Sequence, residues 1–64
     1  MVCNLRVIRK QKGLTQEQLS AVSGINRVSI AKYETGASVP SLKTAERLAD
    51  ALGVSVDELI RKVG

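Results

Sequence analysis

The sequence predicts an all-α fold, a compact bundle of five short helices, and three observations point to it. Helix-start signals recur, each a Ser, Thr or Asn bracketed by two apolar residues that can clasp the first turn. Between these signals apolar residues return at three- and four-residue spacing, the period of a helix with one buried face. Glycines stand where helices should stop, at Gly13, Gly24 and Gly53.

The first helix is predicted from an N-cap at Asn4 to about Lys12, with Leu5 and Ile8 facing inward. Arg9, Lys10 and Lys12 fall in its last turn, where the helix dipole favours cations, and Gly13 suits the left-handed position after it. The second helix opens on a capping box of Thr15 and Gln18, with Leu14 and Leu19 as the apolar staple, and runs to about Val22. A tight turn at Ser23-Gly24-Ile25 follows, in which Gly24 supplies the backbone freedom. Asn26 caps the third helix, stapled by Ile25 and Ile30.

Residues 35–40 form a loop marked by Gly36 and Pro40. Ser41 caps a fourth helix whose core stripe is Leu42, Ala45, Leu48, Ala49 and Leu52. The fifth opens on a capping box of Ser55 and Glu58 with a Val54–Leu59 staple. Asp57 and Glu58 lie in its first turn and Arg61 and Lys62 in its last. Val56, Leu59, Ile60 and Val63 share one side of it. Part of that side closes the core, and the remainder (Val56, Ile60, Val63) is a candidate homodimer contact.

At about 100° per residue, the third helix separates into two arcs. Ile30, Tyr33 and Glu34 form the arc that can pack, with Ser29 at its margin. Arg27, Val28, Ala31 and Lys32 point outward. Two cations and a branched apolar group suit a DNA major groove, where cations meet guanine O6/N7 or phosphate and a methyl can touch thymine. Ordinary solvated charges on an exposed helix would give the same pattern.

The residues from Gly13 to Ser20, Ser23 to Gly36 and Val39 to Ile60 together resemble the phage repressor/Cro-type (XRE) helix-turn-helix domain. The matching marks are Leu14-Thr15-Gln16, Gly24, Ile30 with Tyr33-Glu34 and Gly36, Pro40-Ser41-Leu42, and Leu48-Ala49 with Ala51-Leu52-Gly53. The resemblance covers nearly all of residues 4–60. It implies a lambda-repressor-like bundle in residues 1–64, with helices two and three (about 15–36) as the helix-turn-helix. One departure is Ser20, where the family has alanine; its hydroxyl should seek a carbonyl one turn back.

The resemblance also implies roles. Arg27, Val28 and Lys32 match base-reading positions, and Asn26 and Ser29 border them. Gln16 and Thr35 match positions that hold the DNA backbone, and Arg9 and Glu34 match a structural ion pair between the first and third helices. Val28 offers only van der Waals contact, so modest intrinsic specificity is expected. The implied partner is double-stranded DNA, a palindromic operator, for a small repressor-like regulator acting in the cytoplasm of a bacterium or encoded by a phage. A protein-binding adaptor or antitoxin-type module that keeps the fold with little DNA specificity is the alternative.

Composition agrees. Sixty-four residues suffice for one domain, 44% apolar with a single Tyr as its aromatic, so the core must be aliphatic. The net charge of +4 is uneven: residues 1–32 carry six Lys/Arg against Glu17 alone, and residues 33–64 carry four against five acids. A basic half suggests one polyanion-facing surface. With Cys3 as its one cysteine and no histidine, the chain can form no internal disulfide and no Cys/His zinc set, and no cofactor is expected. Enzymatic activity is not expected either, since there is no histidine, no clustered carboxylate pair in a site, no Gly-rich phosphate loop and no base for the lone thiol. RNA binding by stacking is disfavoured because Tyr33 lies on the packing arc.

Overall fold

Four of the five helices begin on a side chain that accepts a hydrogen bond from the backbone, as the sequence signals require. The computed structural model describes residues 2–61. Its elements in chain order are β1 (Val2–Cys3), α1 (Leu5–Gln11), α2 (Gln16–Ser23), α3 (Arg27–Thr35), α4 (Leu42–Leu52), α5 (Val56–Leu59) and β2 (Ile60–Arg61). The architecture is the all-α bundle, with a two-residue antiparallel ladder joining the chain's first and last described elements.

The caps close as local chemistry dictates. Thr15 Oγ1 accepts from the Gln18 amide at 3.1 Å while Gln18 Oε1 accepts from the Thr15 amide at 2.8 Å, a complete capping box. Asn26 Oδ1 accepts from the Val28 amide at 2.8 Å, Ser41 Oγ from Thr44 at 3.3 Å, and Ser55 Oγ from Glu58 at 3.2 Å. Asn4 occupies the N-cap position of α1 but makes no capping bond. Its amide N–H donates to Leu59 O at 2.7 Å, and its Nδ2 to Glu58 O at 3.4 Å. Asn4 is therefore spent on holding the end of α5.

Gly24 has φ +73°, the left-handed conformation that turns α2 into α3 and that a Cβ would penalise. Its amide N–H donates to Ser20 O at 2.9 Å, and Ser23 Oγ accepts from the Ile25 amide at 3.2 Å, so the turn satisfies its own backbone.

One core unites the helices. Leu5, Ile8, Leu19, Ile30, Ala45, Leu48, Ala49, Leu52 and Leu59 are buried. Leu14, Ile25 and Val54, the outer halves of the three staples, pack against this cluster. By the usual coefficient of about 25 cal/mol per Å², burying one such leucine contributes roughly 2 kcal/mol. α2 packs on both α3 and α4, which fixes α3 against the bundle by one side. No helix among the described residues is long and apolar enough to cross a membrane.

Further expectations need correction. Leu42, assigned to the α4 core stripe, is 68% exposed. It is the first residue of α4, and side chains tilt toward the helix N-terminus, which carries this one past the end of the bundle. The last helix stops at Leu59, and Arg61 lies in β2 rather than in a final helical turn. Ile60 has φ −120° and ψ 118°, extended backbone that suits a β-branched residue, and pairs with Cys3. A helix of four residues has little propagation to offset its nucleation, so strand pairing wins. Ile60 thus leaves the helical face assigned to it, while Lys62 and Val63 lie outside the described residues. Finally, Ser20 is half-buried, and no carbonyl among the described residues accepts from its hydroxyl; with that side open, water can satisfy it.

Candidate nucleic-acid interface

α3 is held by one face and free on the other. Ile30 is fully buried, and Tyr33 packs partly buried against the core. Glu34, on the same arc, is the polar anchor of the helix, its side chain only 4% exposed. Arg9 donates to it twice, Nε to Oε2 at 2.7 Å and Nη2 to Oε1 at 3.1 Å. Arg9 Nη1 also donates to Leu14 O at 2.7 Å. All three guanidinium nitrogens are therefore engaged, and α1, the entry to α2 and α3 are tied at one point.

Desolvation by burial acts to raise the Glu34 pKa, but the hydrogen bonds from Arg9 and Gln16 and the positive charges of Arg9 and Arg6 outweigh it. The carboxyl is held below its ordinary range. The Arg9 guanidinium is pushed up by its hydrogen bond to Glu34, against desolvation and with the help of the carboxylate charge.

On the opposite side, Arg27, Val28 and Lys32 are all exposed, Val28 at 60%. Arg27 opens α3, Val28 follows it, and Lys32 stands about one turn further on. Ala31, expected to point outward, is half-buried, as is Ser29 at the margin. The outward strip is thus a cation, a branched apolar group and a second cation, raised on a helix that nothing covers among the described residues.

The bordering residues are less free than their sequence positions suggest. Gln16 is half-buried, and its Nε2 donates to Glu34 Oε1 at 3.1 Å, which occupies one of its two amide hydrogens. Thr35 Oγ1 donates to Lys32 O at 3.2 Å, so its hydroxyl proton points along the helix end. The Oδ1 of Asn26 is spent on its cap, which leaves the Nδ2 amide as its outward donor.

One contact lay beyond a helix-by-helix reading. Arg27 Nη1 donates to Glu17 Oε1 at 3.0 Å, an ion pair between the first turn of α2 and the first residue of α3. Both partners line an open cleft of about 490 Å³, together with Lys10, Thr15 and Gln16 among others. The only signal in the sequence is two opposite charges near the starts of adjacent helices, ten positions apart.

The sequence profile described as helix-turn-helix matches residues 5–59. A prophage-derived HTH-type transcriptional regulator, YonR of Bacillus subtilis, is 40% identical over 57 residues, covering 89% of this chain and 53% of the relative. The cryptic phage CTXphi transcriptional repressor RstR of Vibrio cholerae is 41% identical over 51 residues, covering 80% of this chain and 46% of the relative. The chain thus spans about half the length of these two curated relatives. Among solved structures, the restriction-modification controller protein C.AhdI from Aeromonas hydrophila superimposes with a TM-score of 0.84 at 38% identity, covering 89% of this chain and 86% of that one.

Proposed function

The chain belongs to the helix-turn-helix family of the phage-repressor (XRE) type, and from that premise we propose that it binds double-stranded DNA sequence-specifically as a repressor-like transcriptional regulator. α3 enters the major groove with the strip of Arg27, Val28 and Lys32 leading. Arg27 donates to guanine O6 and N7, Lys32 to a base acceptor or phosphate, and Val28 meets a thymine methyl. Asn26 Nδ2 and Ser29 work the edges of that strip.

The flanking phosphates are held from two sides. Unpaired N–H groups at the start of α2 and the second amide hydrogen of Gln16 serve one; Thr35, after a turn of its hydroxyl, serves the other. Two chains on a twofold operator would place their recognition helices about 34 Å apart. Val56 of α5 and Ile60 of β2, both only partly buried against the core, are the candidate contact between them.

The single observation that carries this reading is the two-faced burial of α3, with Ile30 at 0% exposure and Val28 at 60%. Selection of binding sites from random DNA, followed by footprinting, tests it. The expected result is an enriched motif whose protected bases lie in the major groove. No enrichment, with no salt-dependent binding, would overturn it.

A further inference from the structure

We propose that Glu17 is a positioning residue that aims Arg27 and so sets the chain's preference for guanine, an inference that rests on the DNA-binding reading. Glu17 is the only acid in residues 1–32, set among six cations. A carboxylate there opposes the approach of phosphate, so it lowers general affinity for DNA. It adds little to stability either, because both partners of the pair are exposed, 58% for Arg27 and 76% for Glu17. What the pair does is geometric. Glu17 is rooted in the first turn of α2, where the helix dipole favours an acid, and it takes Nη1 of Arg27.

That leaves the Nε–Nη2 edge of Arg27 with no partner among the described residues. The same edge of Arg9 grips both oxygens of Glu34, so this protein already shows the two-pronged contact that it makes. A guanine presents O6 and N7 in the spacing such a fork accepts. Glu17 fixes one side of the guanidinium and offers the other to the base. Without it, Arg27 is a long flexible cation that finds phosphate as readily as guanine.

The experiment measures binding of the unaltered chain, Glu17→Ala, Glu17→Gln, Arg27→Ala and Glu17→Ala/Arg27→Ala to three duplexes. These are the selected site, the site altered at the base pair whose preference Arg27→Ala abolishes, and a scrambled duplex. Both single Glu17 variants should bind scrambled DNA several-fold more tightly, while Glu17→Ala, which removes the acceptor for Nη1, should lose discrimination at that one base pair by about tenfold and Glu17→Gln, which keeps an acceptor oxygen, should lose less. Discrimination at the other pairs should stay unchanged, and Glu17→Ala should have no further effect at that pair once Arg27 is gone. Unchanged discrimination in Glu17→Ala, an equal loss at every base pair, or a loss that persists without Arg27 would each overturn the proposal. If the unaltered chain binds no DNA at any salt concentration, the DNA-binding reading itself falls and takes this inference with it.

Discussion

Arg9 and Glu34, from α1 and α3, meet through two hydrogen bonds of 2.7 and 3.1 Å while 10% and 4% exposed. The pair sits behind the outward strip of α3, so the helix that would meet DNA is braced from the side it turns away. Removing either partner strands a charge in a poorly solvated place. Arg9→Ala should destabilise the fold by roughly 3 kcal/mol, the low end for broken buried pairs. Urea denaturation measures this, and a loss below about 1 kcal/mol would show that the pair behaves as a surface one.

The same carboxyl gives a pH dependence of known sign. The folded-state pKa of Glu34 lies below its unfolded value, so the folded chain favours the ionised form. Its contribution is complete at neutral pH, begins to fall as acidity enters the ordinary carboxylate range, and is lost once pH drops through the folded pKa. Melting temperature should therefore decline on acidification from pH 7 to pH 3, and more shallowly in Glu34→Gln from its lower starting point. Parallel curves for the two proteins would assign the acid sensitivity to other groups.

Gly24 offers a backbone test. Its φ is +73°, and a Cβ there would meet nothing within 4 Å. Gly24→Ala should cost about 1–2 kcal/mol from conformation alone, with Gly24→Asn milder because asparagine tolerates the left-handed region. An alanine variant as stable as the parent would mean that the turn relaxes elsewhere.

At the outward strip, Lys32→Ala separates reading from anchoring. A cost of roughly 1–3 kcal/mol confined to the selected site marks Lys32 as a base contact. Equal weakening on scrambled DNA would make it a phosphate contact instead, with the slope of log K against log salt reduced by about one.

What the sequence made legible follows from the range of each interaction. Caps and staples are local, and the helix starts at Thr15, Asn26, Ser41 and Ser55 stand where short-range spacing puts them. The two faces of α3 were readable from periodicity, apart from Ala31. Leu42 misled because a wheel knows the angle of a residue but not its height along the bundle. Ile60 and Asn4 misled because their partners lie at the other end of the chain. At the candidate interface, the occupied amide hydrogen of Gln16 and the Glu17–Arg27 pair depend on distances between helices, which one-dimensional spacing does not contain.

The short ladder joins Val2 with Arg61 and Cys3 with Ile60, partners far apart along the sequence. Contacts this far apart along a chain form only after the intervening segment has collapsed, because the entropy of closing so large a loop precedes any reward. The clasp is thus a late event in folding, and its two-residue length makes it an early one to open. Deuterium should replace the amide proton of Asn4 sooner than that of Leu48, although the Asn4 amide makes the shorter-than-average 2.7 Å bond to Leu59.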